Sequence, residues 1–318
     1  MIRLFVMVGE RLLFGAITLL AVSIIIASSV ELLPGDVATA ILGQAATPET
    51  VAALRKQLGL DLPFYQRYWE WLWDFLRGDM GVSLTNERPV APQVGERFAN
   101  TLLLAALAAA IAVPLSLALG ILAAIYRGGW FDKLISSSTL AAISMPEFLV
   151  GYIVIAVFAV ELGWFPSIST LRHDISFLER IYVMLLPCIT LALVVMAHMM
   201  RLTRAAIINL LASPYIEMAR LKGVGTARLI VYHALPNALS PIITVIVLNL
   251  AYLIVGVVVV EVVFVYPGLG QLLVDSVSAR NLPVVQASCL IFAGTYVTLN
   301  LLADIFSSLA NPRLRHPR

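Results

Sequence analysis

Six stretches of this chain are almost free of charge and long enough to constrain everything else. They run over Leu12–Val30, Thr101–Tyr126, Phe148–Val160 (extended back through Leu134 across Glu147), Ile181–Met200, Leu229–Val260 and Leu282–Ala303. Crossing a bilayer takes roughly 20 predominantly apolar residues, so the pattern predicts six transmembrane helices and an all-α, polytopic membrane protein. A soluble domain has no reason to reach 60% hydrophobic and 13% charged residues over 318 positions with a mean hydropathy of +0.94. The run to Val260 exceeds one span and takes in the end of a polar loop.

The first run follows Arg3 and Arg11, as a secretion signal would. Its 19 uncharged residues exceed the roughly 7–15 of a cleavable core, and no small-x-small site follows, so an uncleaved span is expected. With six spans, both termini share one side with the loops around Arg127–Lys133 and Arg201–Arg228. That side holds Arg3, Arg11, Arg127, Lys133, Arg201, Arg204, Arg220, Lys222, Arg228, Arg313, Arg315 and Arg318, twelve of the 21 Lys and Arg, with few acids. Basic loops stay in the cytoplasm, so the termini and the 213–236 loop are expected there. The net charge of +2 hides this sidedness, and nucleic acid binding is not indicated. Cys188 and Cys289 fall inside apolar runs, where no disulfide or metal site is expected.

Between two apolar runs lies the polar, basic segment Ser213–Pro236, with Glu217, Arg220, Lys222, Arg228, Gly223 and Gly225. Ser213 is placed to accept from an orphan backbone N–H, and Pro214 sits where a missing N–H costs nothing, so a helix starts here. Glu217 lies near its first turn, where the dipole favours an acid. The glycines stop it, Thr226 is placed to cap a second short helix, and Pro236 opens the next apolar run. The segment reads either as a knob that another protein grips or as an ordinary solvated basic loop.

The spacing Glu217-x-Ala219-x3-Gly223-x11-Leu235-Pro236 resembles the EAA loop of bacterial ABC importer membrane subunits, which docks into a cleft of the ATP-hydrolysing subunit. Met218 replaces the motif's first Ala and His233 its Ile. His-Ala-Leu-Pro-Asn-Ala at 233–238 is similar to the oligopeptide and dipeptide permease branch. The resemblance implies that Glu217, Ala219, Arg220, Gly223, Leu235 and Pro236 couple the chain to an ATPase.

Two outer elements extend it. In the segment 35–98, Thr47-Pro48-Glu49 starts a helix with Val51, Leu54 and Leu58 on one face and Gly59 as its stop. Pro63 opens a second helix crowded with Tyr65, Tyr68, Trp69, Trp71, Trp73 and Phe75. These aromatics suit a belt in the membrane interface; the stretch also resembles the small extracytoplasmic helical domain of peptide permeases, and both readings can hold together. After the fifth run, Phe264-Val265-Tyr266-Pro267-Gly268-Leu269-Gly270 resembles the family's PGLG signature, a short helix folded back on the outer side. Its plainer reading is a connecting loop. The family usually has Arg-Asp before the following proline, where this chain has Arg280-Asn281.

Ionisable groups in apolar runs are costly and mark functional candidates. Glu147 follows a helix-breaking Met145-Pro146, Glu261 ends the fifth run and Asp304 lies near the inner end of the sixth. With Pro267, Gly268 and Gly270 they are the candidates for the pathway and its outer gate; His198 reads as a packing residue. No G-x-x-x-x-G-K-[ST] occurs, so the chain has no phosphate cradle, and no catalytic or metal-ligand constellation is present. A non-catalytic subunit binding no cofactor is expected, with ATP and Mg held by partner ATPases.

The resemblance covers residues 11–311 and implies the type I ABC importer permease fold. Its divisions would be an N-terminal end and first helix at 1–34, an extracytoplasmic helical segment at 35–98, a permease core at 99–312 and a cytoplasmic tail at 313–318. The coupling loop would be 213–236 and the outer loop 262–283. The implied partners are a second homologous permease, two ABC ATPases, an extracytoplasmic binding protein and membrane lipid. The implied location is the bacterial inner membrane and the implied cargo is di- and oligopeptides, with nickel, glutathione, opines and oligosaccharides as alternatives. A self-contained secondary transporter would instead call for internal repeats and broken helices near the midplane; no convincing repeat is visible.

Overall fold

Proline decides where most of these helices begin. A computed structural model describes residues 2–31, 37–57, 59–170, 176–225 and 228–310. Helix α1 spans Ile2–Glu31 and α2 Val37–Leu42. Pro48 opens α3 (Pro48–Gln57), Pro63 precedes α4 (Phe64–Leu76) and Pro89 precedes α5 (Val90–Ile125). After α6 (Trp130–Ser144), Pro146 caps α7 (Glu147–Val154), which passes into a π-helical turn, Ile155–Glu161. Helix α8 is Phe177–Leu211, α9 is Pro214–Leu221, α10 is Leu235–Val263, α11 is Leu269–Ser278 and α12 is Leu282–Ala310. A fixed φ and a missing N–H suit proline to a first turn; Pro114, Pro187 and Pro241 nevertheless lie inside α5, α8 and α10.

Five of these helices, α1, α5, α8, α10 and α12, are long and apolar enough to cross a membrane, and α6 with α7 makes a sixth if the bent pair counts as one. In hydrocarbon each backbone polar group needs an internal partner, which a helix supplies from its own chain. Among the described residues the only β-pairing is the isolated Val82–Pro89 bridge. The expected kink at Met145-Pro146 is a full break: the two halves meet at 107°. Met145 has ψ 134° and Pro146 ψ 140°, because a proline pushes the residue before it out of the helical region.

The second span also differs from expectation. Its apolar run begins at Thr101, but the helix begins at Val90, so a division at residue 98 falls inside continuous helix. Val90 and Val94 are buried against Leu269, Val284 and Ala287, and that packing extends the helix beyond the apolar run. Helix α8 is the centre of the bundle, packing on α5, α6, α7 and α10. Its start is a capping box: Ser176 Oγ accepts from Glu179 N, and Glu179 Oε2 accepts from Ser176 N at 3.0 Å. Gly120 lets α5 approach α8, since a Cβ there would lie 2.9 Å from the Met200 carbonyl oxygen. The core consists of Leu104, Ala108, Met184, Leu186, Leu191, Leu253, Val257, Phe264 and neighbours.

Asp132 of α6 is gripped by Arg204 of α8, with Nε–Oδ1 at 2.5 Å and Nη2–Oδ2 at 2.8 Å. Helix α4 buries Tyr68 and leaves Tyr65, Trp69 and Trp73 exposed. The Tyr68 hydroxyl hydrogen-bonds Ser23 Oγ of α1 at 2.8 Å, which ties the aromatic helix to the first span. Thr47 Oγ1 caps α3 by accepting from Thr50 N, and Gly59 stops it with φ +66°. Leu58, Thr226 and the tail Arg313, Arg315 and Arg318 lie outside the described residues.

Candidate functional site

The segment between α8 and α10 forms one short helix at one end of the bundle. Pro214 is its first residue and Ile216 N and Glu217 N both donate to the Ser213 carbonyl oxygen. The Ser213 hydroxyl was expected to accept at this cap. It instead donates backward to the Leu210 carbonyl at 2.5 Å, which also accepts from Ser213 N at 3.0 Å. Glu217 sits in the first turn, exposed. Gly223 ends the helix at φ +80°, with Val224 N donating to Ala219 O at 3.2 Å and Gly223 N to Arg220 O at 2.9 Å. That pair is a Schellman motif, which requires a left-handed residue at this position.

The helix is amphipathic in a way that leaves two usable faces. Ile216 is fully buried on Leu229, Ile230 and Ala234, with Ala219 and Val224 packed alongside. Tyr215, Met218 and Leu221 are exposed, at 41%, 56% and 76%, beside Glu217, Arg220 and Lys222. A cleft of about 370 Å3 opens next to it, lined by Arg127 and Arg220 above Leu229 and Ile230. The expected second short helix is not separate. From Leu229 to Ala234 the chain makes a π-helical turn that runs directly into α10, so Leu235 and Pro236 are the first turn of the fifth span. The long apolar run to Val260 reflects this continuity.

At the far end of α10 Glu261, Pro267, Gly268 and Gly270 come together. The Glu261 side chain is fully buried, and its carboxylate accepts from Thr101 Oγ1 at 2.6 Å, Gly270 N at 2.7 Å and Gln271 N at 3.1 Å. The acid therefore holds the N-terminus of α11, where backbone N–H groups and the dipole favour negative charge. Thr101 Oγ1 also accepts from Leu269 N at 2.8 Å. Gly268 has extended backbone, φ −101° and ψ −179°, so its need for glycine is one of space: a Cβ there would overlap the Glu261 carboxylate. A Cβ at Gly270 would lie 2.7 Å from Val258 Cα.

A second layer locks the same turn. Asn100 Nδ2 donates to the Pro267 carbonyl at 2.9 Å, Arg180 Nη2 donates to Asn100 Oδ1 at 2.7 Å, and the Tyr266 hydroxyl donates to the Asn100 carbonyl at 2.9 Å. Val265 has φ +50°, an unusual position for a β-branched side chain. Asn281, standing where the family usually has Asp, is buried; its Oδ1 accepts from Leu84 N and its Nδ2 donates to Ser83 Oγ and Thr85 Oγ1.

Glu147 and Asp304 belong to neither group. Glu147 Oε1 accepts from the Tyr252 hydroxyl at 2.7 Å, and the Tyr252 ring lies 5.7 Å from that of His198. Asp304 pairs with Arg11 of α1 at 3.2 Å, both half exposed. Asn100, Thr101, Arg180 and Tyr252 carry much of this geometry and were missed in the sequence. The polar pair Asn100-Thr101 opening an apolar run was the available signal. Among the described residues no three His, Cys, Asp or Glu could hold a metal ion.

Comparison with known proteins matches this sequence to one family. Residues 116–316 match the family described as "Binding-protein-dependent transport system inner membrane component", and residues 1–118 match the N-terminal counterpart of such membrane components. The chain is similar to the glutathione transport system permease protein GsiC of Escherichia coli strain K12, 39% identical over 309 residues, covering 96% of this chain and 98% of that protein. GsiC of Shigella dysenteriae serotype 1 shows the same figures, and that of Shigella boydii serotype 4 is 38% identical over the same length. With six candidate spans and matches along nearly its whole length, the chain belongs to the inner membrane components of binding-protein-dependent transport systems, as an ABC importer permease subunit.

Proposed function

We propose that this permease forms half of the pathway for small peptides, glutathione among them, and that α9 transmits the force of ATP binding. The observation that carries the coupling is α9 itself, anchored by buried Ile216 and presenting Glu217 and the apolar Tyr215, Met218 and Leu221 outward. Such a rigid, half-apolar knob suits the cleft of an ATPase subunit. Because its buried side rests on the first turns of α10, a push on α9 is delivered to the fifth span and through α8 to the rest of the bundle.

Glu217, Ala219, Arg220, Gly223, Leu235 and Pro236 form this coupling element, with the termini and α9 on the cytoplasmic side. The Glu261 latch, with Pro267, Gly268 and Gly270, belongs to the outer gate. Asp304 holds the inner ends of α1 and α12 together beside the pathway. A second permease completes the pathway, two ATPases bind and hydrolyse ATP with its Mg, and an extracytoplasmic binding protein delivers cargo. Identity of 39% to permeases named for glutathione transport supports a short peptide over an oligosaccharide or nickel.

The test is Gly223→Val in the reconstituted complex. A β-branched residue at φ +80° breaks the Schellman turn at a cost of about 1–3 kcal/mol and tilts the chain leading into α10. Substrate-stimulated ATP hydrolysis and copurification of the ATPases are expected to fall sharply, with membrane insertion intact. Glu217→Ala, which removes one contact and no shape, should fall less. Wild-type stimulation by Gly223→Val would remove the coupling role.

A further inference from the structure

The break between α6 and α7 leaves one carboxylate facing the middle of α10 with one of its two oxygens unused. Glu147 Oε1 accepts from Tyr252, while Oε2 accepts no hydrogen bond and meets no Lys or Arg within 4.0 Å among the described residues. Tyr252 is the central residue of the Pro241–Val263 span, so the carboxylate lies level with the middle of that helix. Gly256, one turn further along α10, keeps room at that oxygen: a Cβ there would sit 3.1 Å from Oε2. The Tyr252 ring stands at the position and further aromatic residues lie on the same helices. Tyr252 is 41% exposed with His198 behind it, and Phe148 and Tyr152, 50% and 56% exposed, follow Glu147 on α7.

A lone ionised carboxylate at this depth is strongly disfavoured facing lipid and belongs on a wet or partner-covered face. An anionic acceptor beside aromatic faces attracts an ammonium group through both a charge-assisted hydrogen bond and the ring quadrupole. A divalent metal is a poor match, because no cluster of three ligating side chains exists among the described residues. Resting on the importer reading above, we infer that Glu147, with Tyr252 and the ring of His198, is the subsite that receives the ammonium group of the peptide in transit. The same charge repels the peptide's carboxylates, so it orients the cargo. A single partly open ion pair releases its ligand readily, as a pathway requires.

The test uses the complete transporter, both permeases with both ATPases, in lipid nanodiscs without the binding protein. It is titrated with radiolabelled glutathione and dialanine and with their N-acetylated forms, which lack only the ammonium charge. The free-amine ligands are expected to bind wild type about tenfold or more tightly, the loss one charge-assisted hydrogen bond carries. Glu147→Gln keeps an acceptor for Tyr252 and should abolish that difference by weakening only the free-amine ligands; Tyr252→Phe should reduce it. Equal affinities in wild type, no saturable binding, or a difference that survives Glu147→Gln would each overturn the subsite. Binding-protein-driven uptake by wild type is measured in parallel. Uptake without amine-dependent binding removes the subsite alone, whereas absence of peptide uptake removes the peptide importer reading.

Discussion

Replacing Gly268 by alanine adds one carbon where the Glu261 carboxylate already lies. The backbone at this position is extended, so the effect comes from overlap and not from φ strain. Two responses are open: the carboxylate swings away, or the turn Tyr266–Leu269 lifts off α10. Swinging away breaks up to three bonds, from Thr101 Oγ1, Gly270 N and Gln271 N, and leaves the buried charge underpaired. Hydrogen bonds to a charged group contribute about 1.5–3 kcal/mol each, but Glu261 keeps some of them by adjusting, so a net cost of about 2–4 kcal/mol is expected. Lifting the turn instead breaks the Asn100–Pro267 contact at 2.9 Å and falls in the range of about 1–3 kcal/mol known for overpacking. Either route exposes the first amides of α11. The assay is hydrogen exchange of the purified complex, read at residues 269–271 and at the centre of α8, together with transport. Exchange at 269–271 should accelerate about fivefold or more, since about 1 kcal/mol, the lower end of the two routes, corresponds to roughly that factor, while α8 stays protected. Gly294→Ala is the control, because a Cβ there meets nothing within 4 Å, and it should be neutral or slightly stabilising. Unchanged exchange at 269–271 in Gly268→Ala, with normal transport, would refute the latch.

Two further outcomes are expected beyond the coupling and subsite tests. A cysteine replacing Glu70 on α4 should react with an impermeant reagent in intact cells, and one replacing Lys222 should not; the reverse pattern would invert the assigned orientation. Asp132→Asn removes the charge from a two-bonded pair with Arg204 whose side chains are 6% and 28% exposed. Thermal stability of the complex should fall by about 2–4 kcal/mol, in the range seen when one partner of a largely buried pair is lost. A double-mutant cycle with Arg204→Met should show strong coupling, and additive losses would remove the pair as a stabilising contact.

Five of the six expected spans, the start of α9 at Pro214 and the stop at Gly223 were legible in the residue order, and the remaining apolar run became a bent pair of helices. Each legible feature depends on something a short window contains: enough apolar residues to cross a bilayer, a ring that fits a first turn, a missing side chain where φ is positive. The same windows carried no information on the residues packed opposite. Thr101 meets Glu261 across 160 positions, Asp132 meets Arg204 across 72, and Tyr252 meets Glu147 across 105. Three acids that looked alike in apolar runs separate only in the tertiary structure: Glu261 holds a helix terminus, Asp304 pairs with Arg11, and Glu147 keeps a free oxygen opposite the middle of α10. Pro146 announced a break, yet the 107° between its two halves comes from how α7 packs on α8 and α10. The start of α5 at Val90 was likewise decided by packing on α11 and α12. Helices satisfy their own backbone and so reveal themselves locally, whereas the partner of a buried charge is chosen by which helices the bundle places side by side.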